Sequence, residues 1–132
     1  MNKIHIDINK DKMIITVDIL GAIDKSNIDL YIKQLDSKLK SISFKSDTNL
    51  NDWRFNIYTC HTIIYEDDLK SVKKFLDYCD GLNFKMIDII TAKPQKKYRK
   101  WIDDIIQKDF SNRHIKTLST NNIFKFKLKK AE

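Results

Sequence analysis

The chain has 132 residues, enough for one domain with its own core. Its hydrophobic content of 42% is ordinary for a folded protein, and no run approaches the roughly 20 apolar residues of a membrane span. The formal charge of +7 is uneven: residues 1–90 hold 13 Lys and Arg against 14 Asp and Glu, and residues 91–132 hold 12 against 4.

The first residues, Met1 to Asp7, lack the apolar core of a signal peptide. Two cysteines, Cys60 and Cys79, make no disulfide framework, so a reducing cytoplasm is the expected setting. With 2 Gly and 1 Pro, loops are built mainly from Asn, Asp, Ser and Lys.

Ile4, Ile6 and Ile8 alternate with His5 and Asp7, which predicts a half-buried strand. Asn9 to Lys12 reads as a turn, and Met13 to Leu20 as a second strand paired with the first in a hairpin. Its near-continuous apolar run predicts cover on both faces. Gly21 is expected to break that strand. Asp24 or Ser26 then caps a helix, and Ser26-Asn27-Ile28-Asp29 has the outline of a capping box. Ile28, Tyr31, Ile32, Leu35, Leu39 and Ile42 mark its buried face. Asp29–Lys33 and Asp36–Lys40 are favourably ordered pairs outside.

Ser43 to Asp52 is the longest loop signal. Trp53 to Thr59 predicts a third strand, and Cys60 to Tyr65 an apolar turn. Asp67 and Asp68 suit the positive end of a second helix dipole, with Leu69, Val72, Phe75, Leu76 and Cys79 as the buried stripe and Gly81 at its end. Phe84 to Ile90 predicts a fourth strand.

Pro94 fits the first position of a third helix that ends near Phe110. Tyr98, Trp101, Ile102, Ile105 and Ile106 form its apolar stripe; by that spacing the two aromatics belong to the core. Lys93, Lys96, Lys97, Arg99 and Lys100 crowd its start, where the dipole disfavours cations. Such a cluster can attract phosphate or carboxylate, or it can be a solvated face. His114 to Leu118 is a candidate strand, followed by a turn at Ser119 to Asn122. Phe124, Phe126 and Leu128 then alternate with Lys125, Lys127 and Lys129, a strand whose lysines would blunt an exposed edge.

The order β-β-α-β-α-β-α-β predicts an α/β fold: one domain spanning 1–132, with a single mixed sheet of about five strands layered against three helices. This order resembles the STAS domain, the module of anti-sigma-factor antagonists. Met13 to Lys40 looks like that family's entry, with Leu20-Gly21-Ala22-Ile23-Asp24 leading into the helix. Trp53 to Ile90 resembles its middle, and Ala92-Lys93-Pro94 its next turn. The likeness covers about residues 4–110. The family's Asp-Ser-Ser-Gly at the second helix is replaced by Tyr65-Glu66-Asp67-Asp68-Leu69, so the switching serine has no counterpart. Glu66, Asp67 and Asp68 are candidates for that switch position as fixed negative charges. The strand-like tail stands where the family has a last helix.

Catalytic motifs are not evident. His5, His61 and His114 are scattered, without metal-ligand spacing. Cys60 and His61 are adjacent, so in an extended strand they would point to opposite faces. The two glycines are too far apart for a phosphate loop. No cofactor or metal is expected. The sequence therefore predicts a non-enzymatic protein-interaction or regulatory module, with another protein as partner and no membrane contact. The alternative is a small basic nucleic-acid- or polyanion-binding protein using Lys93, Lys96, Lys97, Arg99, Lys100, Lys125, Lys127 and Lys129.

Overall fold

The predicted hairpin is present: β1 (Lys3–Asn9) pairs antiparallel with β2 (Ile14–Ile23). The Asn9 side chain closes the turn by accepting from the Lys12 N–H at 3.1 Å, and Met13 takes a left-handed φ of 56°. The remaining elements are α1 (Ile28–Ser43), β3 (Arg54–Tyr58), β4 (Thr62–Ile64), α2 (Leu69–Asp80), β5 (Met86–Ala92), α3 (Lys96–Asp109) and β6 (Ile115–Thr120). The computed structural model describes residues 2–43, 50–110 and 114–121. The predicted strand with Lys125, Lys127 and Lys129 lies outside the described residues.

The six strands form one sheet in the order β1-β2-β3-β5-β6, with β4 continuing alongside β2. From β2 onward every pairing is parallel. Each crossover moves one strand further in the same direction. Right-handed connections then place all three helices on one face. That face carries Ile15, Val17 and Ile19 of β2, Phe55 and Ile57 of β3, Ile87 and Ile89 of β5, and Ile115 of β6. Against them pack Tyr31, Leu35 and Leu39 of α1, Val72, Phe75, Leu76 and Cys79 of α2, and Ile102 of α3. Trp53 and Phe84 complete this core, with the Phe55 and Phe84 ring centroids 4.6 Å apart.

Several local expectations are corrected. Gly21 does not end β2. It sits inside the strand at φ 120°, a conformation open to glycine, and the strand runs on to Ile23. β2 packs against the helices with one face, and its other face carries half-buried Thr16 and fully buried Asp18. The α1 entrance is closed by Asp24, whose Oδ1 accepts from the Ser26 and Asn27 N–H groups, each at 3.0 Å, and from Ser26 Oγ at 2.7 Å. Ser26 is thus a donor, not the cap.

Asp36–Lys40 is present at 3.1 Å, but Asp29 pairs with Lys74 of α2 at 2.7 Å instead of with Lys33. Gly81 is right-handed at φ −68°, and the left-handed residue after α2 is Asn83, at φ 61°. Pro94 stands in the turn before α3, which begins at Lys96 behind Gln95. β5 starts at Met86, leaving Phe84 to the core, and β6 extends through the predicted turn to Thr120.

Candidate functional site

All the parallel strands end at one edge of the sheet, where the chain turns from β2, β4 and β5 toward the three helices. The turn 59–61, between β3 and β4, is held from every side. Thr59 N–H donates to the Ile90 carbonyl at 2.9 Å and Thr62 N–H to the Thr59 carbonyl at 3.1 Å. Thr62 Oγ1 donates to the Ile19 carbonyl at 2.8 Å, and the Gly21 N–H to the His61 carbonyl at 3.2 Å. Gln95 Nε2 reaches across from the start of α3 to the carbonyls of Thr59, at 3.0 Å, and Cys60, at 3.4 Å.

The registers show what this turn does. Asp18 is opposite Tyr58, and Gly21 is opposite Thr62. β2 has two residues between those positions, whereas the other chain has three. β3 and β4 are therefore one strand interrupted by a single extra residue. A bulge of this kind re-aims the side chains within it. It turns His61 toward the β2 side chain that alternation would have denied it: His61 Nδ1 lies 3.8 Å from Asp18 Oδ2. Asp18 is fully buried and His61 is 27% exposed. Cys60 is near enough that the Asp18 charge adds to burial in pushing its thiol pKa up; burial and then Cys60 do the same to the Tyr58 phenol. Cys60 and His61 lie in this turn and not in an extended strand, so strand alternation does not govern their directions. The signal for the bulge was the length of the 59–61 segment, which cannot be recognised without the partner register.

The face opposite the helices has its own character. Strand alternation puts Thr16 and Asp18, Arg54, Asn56 and Tyr58, Asp88 and Ile90, and Lys116 and Leu118 there. Asp88 is buried between cations of the two neighbouring strands, with Arg54 Nη2 at 3.4 Å and Lys116 Nζ at 4.0 Å. Along β4, Ile64 enters the core, so Ile63 points to this second face. Tyr65 is still extended, at φ −100° and ψ 133°, and follows Ile63 on the same side. Ile63, Tyr65 and Leu118 are 47%, 46% and 41% exposed. Among the described residues, the other large apolar side chain so exposed is Leu30 of α1.

No family model matches the chain, and no curated protein does. A structural match is an uncharacterized protein of the DUF3478 family from Shewanella loihica PV-4, with a SpoIIAA-like fold. It aligns over 92% of this chain and 90% of that one, with a TM-score of 0.56 and 15% sequence identity. The fold is SpoIIAA-like. This is the fold of the STAS domain that the sequence resembles.

In the SpoIIAA-like frame the two predicted patches approach the same edge of the sheet. Glu66, Asp67 and Asp68 form a single 3-10 turn ahead of α2. Asp68 makes no backbone cap. Its carboxylate accepts from the Lys25 N–H at 2.8 Å and from Ser71 Oγ at 2.9 Å, which ties the α1 entrance to α2. Glu66 and Asp67 stay exposed.

Lys93, Lys96, Lys97 and Lys100 are exposed at the start of α3, but Arg99 is half-buried and donates from Nη1 to Thr91 Oγ1 at 3.4 Å. Lys97 Nζ is 6.0 Å from the Trp101 ring centroid, over which a cation is weakly attracted. Asp103, one turn on, accepts from Thr117 Oγ1 at 2.6 Å and so links α3 to β6. The patch thus divides into a structural Arg99 and a set of solvated lysines. Lys125, Lys127 and Lys129, its predicted partners, are outside the described residues. Among the described residues, no group of three metal-ligating side chains is arranged to hold an ion, and no helix is long and apolar enough to cross a membrane.

Proposed function

We propose that the chain is a non-enzymatic docking module that binds another protein through the second face of its sheet. The observation that carries this reading is the placement of Ile63, Tyr65 and Leu118 on that one face. Single exposed apolar residues are common on any protein; three on one face, two of them neighbours along one extended segment, favour this face for docking. Tyr65 suits an anchor, because an aromatic ring with a polar tip buries a large area with few rotors. Glu66 and Asp67 follow it directly, so the partner should offer an apolar pocket bordered by cations. The fold agrees with the resemblance to a module that acts on other proteins.

The test is a complex isolated from cells that make the protein and challenged with I63S and Y65S. Loss of the complex in both variants, with an unchanged circular-dichroism spectrum, supports the reading. Retention in both contradicts it.

A second reading, polyanion or nucleic-acid binding, has its own observation. Among the described residues no acid pairs with Lys93, Lys96 or Lys100. In that case affinity for duplex DNA or RNA falls steeply with salt, and K96E/K97E weakens it for all sequences alike. Binding that ignores salt, or no binding at all, excludes this reading.

A further inference from the structure

We propose that His61 is a phosphoryl-acceptor site, its Nε2 made nucleophilic and turned outward by the buried Asp18 carboxylate. The ring has two distinct nitrogens. Nδ1 is buried, with no hydrogen-bond partner among the described residues, and its nearest acid is Asp18 Oδ2 at 3.8 Å. That separation is ion-pair length. A lone pair on Nδ1 would face the negative oxygen, whereas a proton there is attracted to it, so the carboxylate selects the Nδ1–H tautomer. The lone pair is left on Nε2, on the exposed side of the ring. Two hydrogen bonds tie this part of the turn to β2, from Gly21 N–H to the His61 carbonyl and from Thr62 Oγ1 to the Ile19 carbonyl. Such a ring is a positioned nucleophile with an orienting third group behind it.

Two neighbouring features select the electrophile. The turn carrying Gln95 is bonded to the carbonyls of Thr59 and Cys60, and it is flanked by the exposed Lys93 and Lys96. They put cations on the turn next to the one that carries His61, and cations favour a dianionic group. The Cys60 thiol, the competing nucleophile, is held in its protonated form by burial and by Asp18.

With phosphoramidate as donor the step is as follows. The Nε2 lone pair attacks phosphorus and an Nε2–P bond forms. The donor reacts as its zwitterion, already protonated on nitrogen; its P–N bond breaks, and ammonia leaves with the electron pair. The proton stays on Nδ1, and the positive charge gained by the ring lies against Asp18. In the sheet register Asp18 stands opposite His5 of β1 and Tyr58 of β3.

This chemistry needs no docking partner. Its regulatory meaning, a dianion placed on the face that presents Ile63 and Tyr65, rests on the docking reading. The experiment therefore uses the isolated chain: phosphoramidate treatment, with phosphate mapped by mass spectrometry on His5, His61 and His114. His61 should be modified on the order of tenfold faster than either other histidine, and D18N should abolish that advantage. C60S should leave it intact. Long-range nitrogen–proton NMR of the untreated protein should show the neutral His61 ring as the Nδ1–H tautomer, a readout that survives if D18N does not fold. Equal rates at the three histidines, or an Nε2–H tautomer at His61, overturns the proposal.

Discussion

Gln95 and Thr59, 36 residues apart, are joined by a hydrogen bond of 3.0 Å from the Gln95 amide to the Thr59 carbonyl. The same side chain accepts from the Ala92 N–H through Oε1 at 2.8 Å. One glutamine thus locks the end of β5 to the bulge between β3 and β4. Q95E keeps the acceptor and loses the donor, setting a carboxylate against two carbonyls. It should destabilise the fold by about 1–3 kcal/mol, more than the roughly 1 kcal/mol that a typical neutral hydrogen bond contributes net. Urea unfolding of Q95E and Q95M measures the difference. Equal losses would contradict the donor role.

The two glycines should respond oppositely to alanine. At Gly21, φ is 120°, so G21A forces a side chain into strained backbone and should cost on the order of 1–3 kcal/mol. At Gly81 φ is −68°, and an added Cβ would meet the Tyr78 carbonyl at an ordinary 3.5 Å. G81A should therefore be neutral or stabilise by about 0.4–1 kcal/mol, by restricting the unfolded chain. Denaturation midpoints of the two variants check both signs.

Acid should loosen the contact between α1 and α2. Hydrogen bonds from Lys40 and from the Tyr78 hydroxyl, at 2.9 Å, hold the Asp36 carboxyl below its ordinary pKa. A depressed carboxyl contributes stability that is present above its unfolded value and is lost as pH falls through its folded value. The loss therefore appears below the ordinary carboxylate range, and Y78F should reduce it and move the Asp36 titration upward. NMR titration of the Asp36 carboxyl in both proteins tests this; an unmoved titration in Y78F would sink it.

Much of the fold was legible because its periodicities are strong. Ile4, Ile6 and Ile8 alternate, and Leu69, Val72, Phe75, Leu76 and Cys79 repeat at helical spacing; their backbone states follow directly. The Leu20-Gly21-x-x-Asp24 fragment also marked its turn, although Gly21 serves a strained strand position and not a break. The candidate site was less legible, because it depends on register. That Asp18 faces His61 follows from one extra residue between Tyr58 and Thr62, a relation between strands that no local pattern contains. The cationic cluster was visible as composition. Its division into a bonded Arg99 and solvated lysines required the neighbour Thr91 from another element. Likewise Asp68 suits the α2 dipole by position, but that its carboxylate also accepts from the Lys25 N–H, far away in sequence, shows only in the fold.

Docking of another protein on the second face of the sheet should bring that protein against position 65. Its most direct test is a photo-crosslinking side chain placed at position 65 and, separately, at exposed Gln34 on the helix layer, in cells that make the protein. A discrete adduct with one protein is expected from position 65, lost in I63S, and none from position 34. Adducts from position 34 with none from position 65 would place docking on the helices and contradict it.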